Sequence, residues 1–222
     1  RRDGGKFTLL FHDTHHRTVS AEADIAGLDL ADYDLVLAFG ESLRERYGRD
    51  GWGDRAVTWH EAADIALFRP IPDIEPVDDI VWIGNWGDGE RSSELQAFLL
   101  EPARQRGLRG GVYGVRYPPE ALRAVADAGL EFRGWIANAE VPSAFAHARV
   151  TVHVPRRPYV ESLPGIPTIR VFEALACGIP LVCAPWPDAE ALFRAGQDFL
   201  MAGDGREMSA HLRNVLHDRD LA

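Results

Sequence analysis

The stretch Gly165 to Gly178, GIPTIRVFEALACG, brings a hydroxyl, a guanidinium and a carboxylate together in Thr168, Arg170 and Glu173. An apolar run, VTVHV, ends at Val154; a loop with proline and glycine follows, and the pattern predicts a helix from Thr168. The first amides of a helix lack an intrahelical partner, and the dipole is positive at that end. A diphosphate is stabilised at such a place. Thr168 can cap the helix and Arg170 adds a cation; Gly165, Pro167 and Ile169 border the same turn. Arg170 and Glu173 are three apart, hence on one helix face. Glu173 stands among Phe172, Ala174 and Leu175, and a carboxylate in so apolar a run needs a partner. A ribose diol is one it can serve with its two acceptor oxygens. An ordinary Arg170–Glu173 surface pair explains the same spacing equally well.

Other polar groups also follow strand-like runs. GNWGDGER, Gly84 to Arg91, has glycines that let backbone approach a phosphate; Gly84 and Asn85 open it. Its spacing, GxxGxG, is not the dinucleotide fingerprint, and an ordinary loop fits it as well. PRRPYVE, Pro155 to Glu161, offers Arg156 and Tyr159 to a phosphate or an acceptor, or is simply a solvated loop. FHDTHHR, Phe11 to Arg17, is rich in histidine without a metal-ligand spacing, so no metal site is expected. A histidine titrating near neutrality suits a general base or a donor to a leaving phosphate, with His12 first and His15 or His16 as alternates. Capping by Asp13 or Thr14, and plain surface histidines, compete with that reading. His60 reads as a wall or hinge residue, and the segment from Trp186 to Phe193 as the start of a helix.

These residues need elements to hold them. The chain has 222 residues, 46% of them hydrophobic, enough for a large core. Apolar strand-like runs alternate with helix-like stretches, which indicates a parallel α/β sheet with ligands at the carboxyl ends of its strands. A first block holds strands at Lys6 to Phe11, Asp34 to Phe39 and Ala56 to Trp59, with a helix at Glu41 to Tyr47. It has too few elements for a complete doubly wound domain and reads as the last part of one. FRPIPDIEPV, Phe68 to Val77, is a proline-rich linker. The second block carries strands at Asp79 to Gly84, Gly111 to Val115, Phe132 to Ile136, Val150 to Val154, Pro180 to Ala184 and Asp198 to Met201. Helices are expected between them, including Asp188 to Arg194, with a terminal amphipathic helix at Met208 to Leu216. The expected division is residues 1–70, 71–205 and a terminal helix over 206–222. A net charge of −10 argues against a nucleic-acid partner. No run is long enough for a transmembrane segment, no secretory signal is recognisable, and the two cysteines, Cys177 and Cys183, suit buried thiols in a reducing cytoplasm.

FEALACGIPLV, Phe172 to Val182, resembles the E-A-x-A-x-G-x-P signature of retaining GT-B glycosyltransferases of the group 1 type. With GNWGDGERSSEL, FRGWI and WPDAEALF, the wider stretch is similar to the spore-maturation-protein (CgeB-like) group. The resemblance implies a GT-B fold: a Rossmann-like, nucleotide-sugar-binding C-terminal domain preceded by the last part of a truncated, acceptor-side Rossmann-like domain. It implies transfer of a sugar from a nucleoside-diphosphate sugar to an unknown acceptor, without a cofactor or metal ion. Glu173 would hold the ribose, the loop and helix start around Thr168 the diphosphate, and Trp135 with Ile136 the base. Arg91 would meet the diphosphate. The family places a second glutamate eight positions before the first, which is Gly165 here; Glu161 is the nearest upstream carboxylate. A sugar-nucleotide epimerase of the same architecture and a non-catalytic sugar-nucleotide-binding module are the competing expectations.

Overall fold

The computed structural model describes residues 7–15, 17–25, 28–87 and 89–218, and its chain divides into two compact units. Unit 1 comprises Arg1–Glu61 together with two later stretches, Pro158–Pro167 and Pro187–Ala191. It contains β1 (Leu10–Asp13), α1 (Arg17–Ser20), α2 (Glu22–Ile25), β2 (Leu35–Ala38), α3 (Glu41–Tyr47) and β3 (Ala56–Thr58). The three strands are parallel in the order β1-β2-β3. β1 runs on past the apolar residues because His12 and Asp13 pair with Leu37 and Ala38. Val36, Ala38 and Phe39 pack with Leu43 and Tyr47 of α3 and with Leu163 and Ile166 from the later stretch. Each of those last two is fully buried and contributes about 1.5–3 kcal/mol through lost apolar exposure. Gly40 makes this possible, since a Cβ there would lie 2.2 Å from Ile166 Cγ1.

Unit 2 comprises Ala62–Arg157, Thr168–Trp186 and Leu192–Ala222. Residues 59–77, spanning the proline-rich linker, form no helix or strand. After β4 (Asp78–Ile83), α4 (Ser92–Leu95) passes through a wider turn at Gln96–Leu100 into α5 (Glu101–Arg106). Then come β5 (Gly110–Tyr113), α6 (Pro119–Asp127), β6 (Glu131–Gly134), α7 (Val141–Ala146) and β7 (Ala148–His153); α8 (Arg157–Glu161) follows and, past its first residue, belongs to unit 1. The remaining elements are α9 (Ile169–Cys177), β8 (Leu181–Cys183), β9 (Leu200–Met201) and α10 (Gly205–His217). The sheet is six-stranded and parallel in the order β6-β5-β4-β7-β8-β9. The direction of winding reverses between β4 and β7, so the topological switch point of a doubly wound sheet lies at their carboxyl ends. These two central strands are nearly continuous in burial, as a sheet covered on both faces requires.

Left-handed glycines stop α5 at Gly107 (φ 63°) and α9 at Gly178 (φ 69°). Asp204 caps α10 by accepting from the Arg206 and Glu207 amides at 2.8 and 2.9 Å. Met208, Leu212, Val215 and Leu216 then join the main core, so the terminal helix packs as part of unit 2. The helix expected at Asp188 to Arg194 does not form. Ala191 there has φ 51°, which a helix cannot accommodate, and the stretch is divided between the two units.

Candidate functional site

In unit 2 the loops after β4 and β7 meet at the switch point and are stapled together. Arg91 Nη1 donates to the Val154 carbonyl at 3.0 Å and Nη2 to the Asn85 carbonyl at 2.6 Å. Its guanidinium lies 5.1 Å from the centre of the Trp82 ring. Arg156 pairs with Glu90 at 2.7 Å, Arg157 with Glu94 at 3.0 Å, and the Arg157 amide donates to the Glu90 carbonyl at 2.9 Å. Tyr117 and Trp82 donate to the Gly84 carbonyl at 2.8 and 3.1 Å, and Asn85 Oδ1 accepts the Val115 amide at 3.1 Å. PRRPY is therefore not a free solvated loop: Arg156 has its charge matched by Glu90, and Tyr159 lies in unit 1 with its ring edge-on to Phe39.

Residues Thr168 and Ile169 open α9 beside this edge of the sheet. Thr168 stands at the N-cap with extended backbone, but its side chain caps nothing. Its hydroxyl lies 3.0 Å from His153 Nε2 instead. Two residues on, Arg170 pairs with Glu173. This is no surface pair. Glu173 is 2% exposed, and the Arg170 side chain 22%. Burial pushes the Glu173 carboxyl up, against the Arg170 charge and hydrogen bonds from Asn138 and Arg170 that pull it down; burial likewise pushes Arg170 down, against Glu173. A diol reaching Glu173 has to share it with those partners or displace one. Trp135, just after β6, is 72% exposed, a broad apolar face open to solvent.

His153 escaped the sequence reading. It is the last residue of β7 and 4% exposed, and burial beside the charges of Arg91 and Arg170 pushes it down to about 3. The signal was a single histidine inside an otherwise apolar VTVHV run.

Unit 1 holds the remaining candidates. His12 lies within β1 and is exposed, not just beyond the strand. Its neighbour Asp13 accepts from the Tyr47 hydroxyl at 2.9 Å, the Thr18 hydroxyl and the His15 amide. His16 lies outside the described residues. Glu161 ends α8 and is exposed; Gly165 and Pro167 are buried. Gly165 has φ +89° and donates its amide to the Pro187 carbonyl at 2.7 Å. A network that sequence spacing could not reveal sits at the carboxyl ends of β2 and β3. His60 Nε2 and Glu190 Oε2 lie 2.6 Å apart, and Glu190 Oε1 accepts the first amide of α3, that of Glu41, at 2.8 Å. Glu41 in turn accepts from Arg44 at 2.8 Å and Thr58 at 2.6 Å, and these bonds hold its carboxyl down at about 2. Among the described residues no group of three or more His, Cys, Asp or Glu is placed to hold a metal ion.

Residues 91–222 match the model of the glycosyl transferase-like family. The chain belongs to that family. No curated protein matches it, but solved structures do. HepE of Anabaena, in complex with UDP and glucose, aligns with a TM-score of 0.69 at 14% identity, over 96% of this chain and 63% of that one. Sucrose-phosphate synthase from Thermosynechococcus elongatus gives 0.68 at 18%, over 100% and 61%. The BGT of phage T4, in complex with UDP and Mn2+, gives 0.64 at 14%, over 97% and 66%. The chain thus spans less than two thirds of the length of each, and it shares their fold, parallel α/β with Rossmann-like sheets of the GT-B kind. No helix among the described residues is long and apolar enough to cross a membrane.

Proposed function

We propose that this chain forms the donor-binding part, with some of the acceptor part, of an enzyme that moves a sugar from a nucleoside-diphosphate sugar to an acceptor, within the spore-maturation-protein (CgeB-like) group. The observation that carries the reading is the start of α9 at the switch point: first-turn amides without a side-chain cap, with Thr168 and Arg170 beside them and Glu173 one turn on. Amides and a positive dipole end stabilise a diphosphate. In transfer, the sugar–phosphate bond breaks and charge develops on the diphosphate, so donors fixed in advance lower the barrier. Glu173 takes the ribose, Trp135 and Ile136 the base, and the Gly84–Arg91 loop borders the phosphates, with Arg91 as its cation. Residues 1–70 supply acceptor-side groups, His12 among them, and Glu161, the nearest carboxylate upstream of Gly165, is the candidate for the donor-sugar contact. The reaction calls for no cofactor or metal ion, and two buried free thiols fit a cytoplasmic protein.

One observation favours a second reading. Gly165, at the position of the family's sugar-contacting glutamate, is buried and left-handed, which fits a module that binds the nucleotide sugar without turning it over. Thermal-shift screening against UDP, GDP, dTDP and CDP and their sugars tests both. Stabilisation by one nucleotide series, weakened in Glu173→Ala, supports the donor site, and unchanged affinity in that variant removes Glu173 from it. Donor hydrolysis or transfer separates the enzyme from the module.

A further inference from the structure

Thr168 holds the N-cap of α9 and yet leaves the first-turn amides uncapped. Its oxygen is committed to His153 Nε2 at 3.0 Å. The other ring nitrogen, Nδ1, is buried and has no hydrogen-bond partner among the described residues. The ring is neutral near pH 7, because burial and two nearby guanidinium groups oppose a third positive charge. Two neutral tautomers remain, and they do opposite things to Thr168. With the proton on Nδ1, a buried N–H goes without an acceptor, and Nε2 draws the Thr168 hydroxyl hydrogen toward itself. The threonine then presents only lone pairs outward, which repel an anion. With the proton on Nε2, the ring donates to Thr168 Oγ1. Only a lone pair is left unmet at Nδ1, a milder defect than an orphaned buried N–H.

We propose that His153 is a positioning residue: as the Nε2–H tautomer it donates to Thr168, which leaves the threonine hydroxyl hydrogen to donate to a phosphate oxygen at the start of α9. This rests on the donor-site reading above. It makes the strand end and the helix start a single device, in which a buried neutral ring sets the polarity of a hydroxyl. A hydrogen bond from that hydroxyl to a charged phosphate sets the expected effect at about a ten- to hundredfold change in affinity.

The test is calorimetric titration of the full chain with UDP, GDP, dTDP and CDP, and with the matching nucleosides. For a diphosphate that binds, His153→Phe keeps the ring volume and loses the donor, and Thr168→Val loses the hydroxyl. Each is expected to weaken binding about ten- to hundredfold, the double variant no further than either alone. His153→Gln, whose amide nitrogen reaches the same point, is expected to restore most of it, while nucleoside affinity stays unchanged in all variants. Diphosphate affinity unchanged in His153→Phe overturns the proposal alone, as does an equal loss for the nucleoside. No binding of any diphosphate by the wild-type chain overturns the donor-site reading and the proposal with it. Nitrogen NMR of histidine-labelled wild-type protein gives a ligand-free check that does not depend on a variant folding. An Nε2–H signal for His153 is expected, and an Nδ1–H signal refutes the assignment.

Discussion

The Arg170–Glu173 pair offers the sharpest quantitative test. An exposed pair at i,i+3 contributes about 0.2–0.5 kcal/mol to a helix. Removing one partner of a buried pair costs about 3–5 kcal/mol, because the other charge is left without compensation. Glu173 is 2% exposed but the Arg170 side chain 22%, so the arginine is the less buried partner. Glu173→Gln, which keeps the volume, is therefore expected below that range, at about 2–3 kcal/mol. Arg170→Met strands the more buried partner and is expected to cost more near neutral pH. Its cost is also pH-dependent, with a definite sign. Burial raises the folded-state carboxyl of Glu173, and without Arg170 nothing equivalent opposes it. The folded protein then binds the proton more tightly than the unfolded chain, so stability falls as pH rises through the interval between the two values. Arg170→Met should accordingly lose less stability near pH 5 than at about pH 7.5. The double variant Arg170→Met with Glu173→Gln should recover much of the loss, giving a coupling of about 1.5–3 kcal/mol in a double-mutant cycle. Urea unfolding at both pH values reads every term. A coupling under about 0.5 kcal/mol, or an Arg170→Met cost that does not change with pH, refutes the burial argument and returns the pair to the surface.

Two further outcomes follow from unit 1. Gly165 has φ +89°, and a Cβ there would meet the Glu190 amide and Cγ at 3.1 Å. Gly165→Ala is expected to cost about 1–2 kcal/mol from the left-handed backbone alone, and Gly165→Glu, which restores the family's carboxylate in name, at least as much; a Tm that holds or rises in either variant contradicts this. Glu41 is held down at about 2 by Arg44 and Thr58, below the usual carboxylate range. Its contribution to stability is present above about pH 4.5 and is lost as pH falls through the interval down to about 2. Glu41→Gln should flatten that part of the acid-unfolding curve, and an unaltered curve removes Glu41 as a contributor.

The elements that local pattern encodes were legible in the sequence. α3 begins and ends where its residues predict, and the six strands of unit 2 fall within a few residues of their apolar runs. The failures share one cause, which is contact between residues far apart in the chain. The segment from Asp188 to Arg194 has the composition of a helix start. Glu190 is instead drawn to the Glu41 amide, 149 positions away, and to His60, 130 positions away, while Ala191 adopts φ 51°. Propensity is a weak prior against tertiary bonds of that kind. The same applies to the site. GIPTIRVFEALACG pointed to Glu173 and Arg170 because both lie on one helix, but only the fold shows that the pair is buried.

Thr168 shows why the rest could not be read in advance. A threonine before a helix is expected to cap it. Here the hydroxyl is claimed by His153 from β7, and the predicted anion site changes character as a result. With a capping threonine, an incoming phosphate would face amides already partly satisfied. With the threonine turned away, the Val171 amide bonds to the Thr168 carbonyl at 3.0 Å, the Ile169 and Arg170 amides have no side-chain cap, and the hydroxyl can join them as a further donor. The chemistry of this helix start is therefore set by one residue on the neighbouring strand, in a run that reads as plain core.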